Sequence, residues 1–359
     1  MNVSVDGRAP AGGRDRDRAG DRAGAGDRAG DRDRAGDRDR AGDRAGAGDR
    51  RGGVTARARA QRVATTVGRV GLRSAVMTAS GTAGHGAELG AYGDLAALGA
   101  VVVKSLAAFA WPGNPGLRLH PGAGGTMVNS VGLQGPGVAA WRERELPGLL
   151  SAGAVVVASI WGRTVSDFEA AAAALEGAPG VVAVEVNVSC PNVEDRSKMF
   201  AHSRAATAEA VAASAAAHLP LWAKLSPNVP DVCEIAGAAL DAGAEAVTLV
   251  NTLLGMVVDV ENRRPPLAGG VSGPAVHAVA VRAVYECRLA FPAAGIVGVG
   301  GVETPTDALE LVMAGADAVQ VGTATFADPR APWRIQAGVS RWCERHGTSV
   351  REVVGAAIR

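Results

Sequence analysis

Eight short β-rich runs punctuate the 359-residue chain, and Ala-rich stretches with helical spacing separate them. The runs are SAVMTASG (74–81), AVVVKSL (100–106), AVVVASIWG (154–162), VAVEVNVSC (182–190), LWAKLSP (221–227), AVTLVNT (246–252), GIVGVGG (295–301) and AVQVGTA (318–324). Most are continuously apolar, the pattern of parallel strands covered on both faces. Candidate helices between them include 166–177, 207–218, 231–243 and 304–315. The last opens on a Thr, carries Pro and Asp in its first turn and closes on a Gly, which are helix start and stop signals. This alternation predicts an α/β fold, a closed (β/α)8 TIM barrel, for which roughly 250 residues suffice. A doubly wound open sheet is the runner-up, but no G-x-G-x-x-G follows an early strand.

The barrel domain is expected over 54–359. Residues 1–53 form a separate segment, built from about Gly13 onward of Asp-Arg-Ala-Gly units with no apolar residue larger than Ala. Such a segment cannot bury enough surface to offset chain entropy, so disorder is expected. A mixed-charge helix is the rival, opposed by frequent Gly at roughly 1 kcal/mol each.

A net charge of +1 provides no electrostatic footprint for nucleic acid or an anionic membrane. Cys190, Cys233, Cys287 and Cys343 are far apart in sequence and form no C-x-x-C pair. That spacing argues against a zinc site, a local iron–sulfur site and a disulfide framework, and predicts no metal. Reduced thiols point to the cytoplasm. No apolar run is long enough for a membrane span, and the N-terminus has no signal-peptide core.

A barrel carries its chemistry at the C-terminal ends of its strands. There the chain places Ser80, Lys104-Ser105, Ser159, Asn187, Cys190, Asn192, Lys224, Asn251-Thr252, Gly300-Gly301 and Gly322-Thr323. The two Gly pairs follow the last two strands, where barrels commonly bind phosphate through backbone N–H groups. Singly, each pair is equally well a tight turn. Lys104 and Lys224 lie in apolar runs, and a lysine buried without a partner is costly. Each therefore faces a ligand or pairs with an interior acid such as Glu185. Asn129, Asn187, Asn192 and Asn251 are ordinary turn amides one by one; together they suit a flat, amide-rich substrate. Cys190 raises its own question, as a potential proton acceptor set between two amides in VNVSCPN (186–192).

With these come MTASGTAGHGAE (77–88), GNPGLR (113–118), MVNSVGLQGPG (127–137), LWAKLSPNV (221–229), LVNTLLG (249–255), GGVSGPA (269–275), VGVGGV (297–302) and QVGTATFADP (320–329). In this order they resemble dihydroorotate dehydrogenases, of class 1 and most closely the catalytic subunit of class 1B, over about Val76 to Pro329. The resemblance implies FMN-dependent oxidation of dihydroorotate to orotate in pyrimidine synthesis. It implies FMN contacts from Ser80, Lys104, Ser105, Asn187, Lys224, Val250, Gly273, Gly300, Gly301, Gly322 and Thr323. Around the substrate it implies Lys104, Asn129, Ser130, Val131, Gly132, Leu133, Asn187, Asn192, Asn251 and Thr252, with Cys190 as catalytic base. A thiol near its ordinary pKa, about 8.5, can take the proton as thiolate. A homodimer is expected, with a partner subunit carrying FAD and an iron–sulfur cluster in class 1B.

Two departures stand out. Ser159 occupies a position where class 1B members have an Asn touching FMN. The segment VEDRSKMFAHS (193–203), expected as a lid, replaces a Gly-rich loop. Alternatives are a related flavin-dependent dihydropyrimidine dehydrogenase, which usually has His where Asn192 stands, and a non-catalytic barrel binding a phosphorylated ligand.

Overall fold

The computed structural model describes residues 60–192 and 198–358, which lie within one unit, Gly48–Arg359; the side chains of 191, 192, 198 and 264–266 are outside the description. The segment expected to be disordered, 1–53, also lies outside the described residues.

All eight runs form parallel strands: β1 (Val76–Thr78), β2 (Val101–Val102), β3 (Val156–Ile160), β4 (Val181–Asn187), β5 (Leu221–Lys224), β6 (Ala246–Leu249), β7 (Gly295–Val299) and β8 (Ala318–Val321). They pair in the order β1-β8-β7-β6-β5-β4-β3-β2. The two end strands also meet: Gly99 N donates to Val76 O at 2.8 Å and Thr78 N to Ala100 O at 3.2 Å. The sheet thus closes into a barrel, and the open-sheet alternative falls. Register sets Lys224 level with Asn187 on one side and Thr248 on the other, so their side chains share one layer near the C-terminal mouth.

Helices cover the barrel as the Ala-rich stretches predict. Val165–Ala173 is capped by Thr164, Arg204–Ala213 by Ser203 and Val232–Asp241 by Asp231, each accepting from an N–H of the first turn. Pro305–Ala314 opens on a capping box between Thr304 and Asp307. These side chains satisfy donors that the first helical turn leaves free. Among the described residues, no helix is long and apolar enough to cross a membrane.

Among the described residues there are two apolar cores. The larger lies between barrel and helices and includes Trp141, Phe168, Phe200 and Ile335. The smaller fills the barrel interior, where Met77, Val102, Val157, Trp222 and Val297 meet Val67, Val70 and Leu72. Those last three belong to a hairpin, Thr65–Val67 with Val70–Leu72, that plugs the barrel's N-terminal end. Its two-residue turn is possible because Gly68 adopts φ +54.

A further sheet rises at the opposite end. It is antiparallel and runs Leu253–Asp259, Arg264–Ser272, Met127–Asn129, Leu119–Pro121. Its strands come from the connections after β2 and β6, so it stands beside the C-terminal mouth. On Leu253–Asp259, burial alternates as in a sheet with one covered face, and Leu254, Met256 and Val258 are exposed.

Candidate active site

A cavity of about 640 Å³ occupies the C-terminal mouth of the barrel, in the range of small-molecule sites. Every predicted cofactor residue is in its wall: Ser80 after β1, Lys104 and Ser105 after β2, Asn187 and Lys224 at the ends of β4 and β5, Val250 after β6, and Gly273, Gly300, Gly301, Gly322 and Thr323. So are Asn129 to Leu133, Asn251 and Thr252, from the substrate set. Three residues do not simply join them: Cys190, Asn192 and Ser159.

The amides form one network. Asn187 Oδ1 accepts from Ser189 N at 3.1 Å and from Asn251 Nδ2 at 3.2 Å, while its Nδ2 donates to Ser105 Oγ at 3.2 Å. Asn251 Oδ1 in turn accepts from Thr252 N at 2.9 Å. Asn129 stands apart in the added sheet, where its Nδ2 donates to Gly270 O at 3.1 Å. Leu133 adopts φ +60, a conformation costly for a residue with a side chain, next to Gly132 at φ +74. The backbone of Asn192 pairs with Lys198 across a two-residue strand, but its side chain lies outside the description, as do residues 193–197 of the expected lid.

Ser159 is fully buried and shares a 2.9 Å hydrogen bond with Ser105 Oγ. It is no part of the cavity wall. The departure at this position therefore leaves a support for Ser105, not a shortened contact.

Both lysines sit as the spacing predicts, with different outcomes. Lys224 is buried and paired. Its Nζ donates to Ser80 Oγ at 3.1 Å and lies 3.6 Å from Glu185 Oε1. It both lines the cavity and pairs with the interior acid, so the two readings of this lysine hold together. The Lys104 ammonium has no hydrogen bond or ion pair among the described residues, and burial, then Arg118, lowers its pKa. An unpaired, partly buried ammonium on a cavity wall suits an anionic group of a ligand. Neighbouring His85 is likewise shifted down, by burial first and Lys104 second.

Cys190 departs most from expectation. The thiol is fully buried, outside the cavity wall, and donates towards Gly162 O at 3.0 Å and Asn187 O at 3.3 Å. Burial pushes its pKa up to about 12, so it is not the thiol near its ordinary value, about 8.5, that its sequence context predicts.

At the Gly pairs, Gly300 and Gly301 have φ +136 and +66. A Cβ on Gly301 would lie 2.6 Å from His277 Cβ, so only glycine lets the loop lie this close to the start of the preceding helix, His277–Ala290. The Gly301 N–H has no partner among the described residues and remains available to a ligand. His277 braces the loop from behind, with Nδ1 2.9 Å from Gly300 O and Nε2 2.9 Å from Glu310 Oε2.

Sequence reasoning missed a cluster at the cavity's edge. Phe109, Trp111 and Trp161 meet edge-on with centroids 6.0 to 6.1 Å apart, and the Arg163 guanidinium lies 4.5 Å above the Phe109 ring. Trp111, Trp161 and Arg163 all line the cavity. Three large rings beside turns, in a chain with 4% aromatic residues, were the available signal.

Comparison with known proteins identifies the family. The family model described as "Dihydroorotate dehydrogenase" matches residues 62–342. A protein of Pelobacter propionicus, named "Dihydroorotate dehydrogenase B (NAD(+)), catalytic subunit", is 44% identical over 290 residues, 79% of this chain and 95% of that protein. Proteins of the same name from Geotalea uraniireducens and Desulforudis audaxviator are 43% and 45% identical. They cover 81% and 83% of this chain and 97% and 98% of their own lengths.

Proposed function

The chain belongs to the dihydroorotate dehydrogenase family, and from that premise we propose how its barrel mouth oxidises dihydroorotate to orotate. This is an oxidoreductase of pyrimidine biosynthesis. The observation that carries the residue-level reading is the single cavity joining two glycine loops, Lys224, Lys104 and the Asn187–Asn251 pair.

The donor set fits FMN. Backbone N–H groups of Gly300-Gly301 and Gly322-Thr323 would hold the phosphate. Ser80, Ser105, Asn187, Val250 and Gly273 would flank the ring, with Lys224 supplying a fixed positive charge against its pyrimidine edge. FMN, when bound, supplies the acceptor for the hydride that leaves C6 of dihydroorotate. Lys104 would hold the substrate carboxylate, and Asn129 through Leu133, Asn187, Asn192, Asn251 and Thr252 its ring amides. Cys190 would accept the proton from C5. Because its thiol is held protonated by burial, that role requires the sulfur to give up its own proton first.

The relatives' description as a catalytic subunit supports a partner that takes the electrons onward. We infer an FAD- and iron–sulfur-bearing subunit and a cytoplasmic assembly, with a homodimer of this chain at its centre. Exposed Leu254, Met256 and Val258 support an association surface. Anaerobic addition of dihydroorotate to FMN-loaded protein tests the whole reading. Bleaching of the flavin with release of orotate is expected. A protein that binds no flavin, or whose flavin bleaches with dihydrouracil and not with dihydroorotate, would overturn it.

A further inference from the structure

The cavity floor rests on a buried carboxylate that no step of the proposed reaction uses. Glu185 points into the barrel from β4, two residues before Asn187, and is fully buried. Its Oε2 accepts from Gln320 Nε2 on β8 at 2.6 Å. Its Oε1 has no hydrogen bond among the described residues but lies 3.6 Å from Lys224 Nζ. Gln320 Oε1 is 3.5 Å from the same Nζ, which also donates to Ser80 Oγ at 3.1 Å. Lys224 and Ser80 line the cavity, whereas Glu185 and Gln320 lie beneath it.

Two charges taken out of water are costly, and a well-packed apolar pair is often as stable or more so. Fold stability alone is therefore a weak reason for this arrangement. Its geometry suits another task. Glu185 and Gln320 leave Lys224 Nζ one outward partner, Ser80, and so hold the ammonium at the floor. The carboxylate also offsets part of the positive field that the ammonium sends into the cavity, and inside a barrel that field is poorly screened.

We propose that Glu185 is a positioning residue that holds Lys224 at the cavity floor and, by compensating its charge, sets the reduction potential of the flavin bound above it. The inference rests on the FMN reading of the cavity. A ring that gains electrons becomes anionic, so its reduced form is stabilised in proportion to the net positive charge beside it. Glu185→Gln keeps the side chain's size and removes the compensating charge.

Sulfite is a direct probe, because its sulfur lone pair adds to the oxidised ring and leaves an anionic adduct without another reactant. FMN-loaded Glu185→Gln is expected to bind sulfite at least ~10-fold more tightly than the wild type. Its midpoint potential should rise in step, by about 30 mV for tenfold in a two-electron couple. Glu185→Asp, which withdraws the carboxylate from Lys224 by one methylene, should shift both quantities the same way by less. It keeps the test open if the Gln variant does not fold. A merely structural role would lower thermal stability and leave both quantities unmoved. Unchanged or opposite shifts in variants that bind FMN overturn this inference alone. A wild type that binds no FMN overturns the site reading, and this inference with it.

Discussion

At the scale of single residues, Cys190 carries the sharpest expectation. Its thiol is pushed up to about 12 by burial, and only the thiolate can take a proton. Below that value the thiolate fraction climbs about tenfold per pH unit, so the rate of flavin bleaching by dihydroorotate should rise with pH and show no plateau below about pH 10. Stopped-flow bleaching across pH reads this half-reaction apart from the electron acceptor. Cys190→Ala should slow it by at least ~10²-fold, the low end of a general base's contribution, with FMN still bound. A wild-type bleaching rate in that variant would place the proton acceptor elsewhere. Gly301 is the second residue of this kind. Gly301→Ala sets a Cβ against His277 and requires φ +66 of an alanine, at a cost of roughly 1–2 kcal/mol before any clash. The loop must shift, and FMN affinity, followed by flavin fluorescence, should fall at least ~10-fold. An unchanged affinity would separate this loop from the phosphate.

Among the elements, the hairpin over 65–72 and the sheet at the mouth do opposite jobs. The hairpin closes the N-terminal end, with Val67 and Leu72 packed into the barrel interior. Leu72→Ala should cost about 2–5 kcal/mol of unfolding free energy, the usual range for a buried leucine. Because the site lies at the other end, the FMN dissociation constant should stay within about twofold, less than 0.5 kcal/mol. Denaturant melts of the apoprotein and an FMN titration together check this separation of stability from binding. The sheet at the mouth contributes Asn129, Leu254 and Gly270 to the cavity wall. At Gly269, a Cβ would come within 1.9 Å of Asn129 O, so a glycine is what lets these two strands pair closely enough to hold Asn129 in place.

For the whole molecule, the barrel described here supplies one redox cavity and no cluster of cysteines to carry electrons away. Cys233 and Cys287 meet at 3.6 Å, but Cys190 and Cys343 are not with them, and no group of cysteines forms a metal-binding set among the described residues. The isolated chain should therefore turn over dihydroorotate with an artificial acceptor dye and fail to reduce NAD at a comparable rate. Efficient NAD reduction by the pure chain would remove the need for a partner subunit. Removing residues 1–52 should leave flavin binding and dye-linked turnover unchanged, since from about Gly13 onward that segment has no apolar residue larger than Ala with which to join a core. Loss of either in the truncated protein would make the segment structural.

Local pattern was enough for the barrel and most of its site. Short apolar runs alternating with helical stretches fit strands covered on both faces, and in a barrel a polar residue ending such a run sits at a strand's C-terminal mouth. That logic located Lys104, Asn187, Lys224, Asn251 and the two Gly pairs from spacing alone, and Thr304 announced its helix by its own side-chain chemistry. The plugging hairpin and the sheet at the mouth escaped it. Their strands are short, and Leu254, Met256 and Val258 place apolar side chains on an exposed face, against the usual inward pattern. Spacing offered Glu185 as a partner for either buried lysine, and only the register of neighbouring strands gives it to Lys224. Other pairings and ionisation lay beyond the sequence: Ser159 turns to Ser105, and Cys190 is sealed against Gly162 O. Each of these depends on which groups distant stretches of chain bring within 4 Å and how much water they exclude, and only the closed barrel decides that.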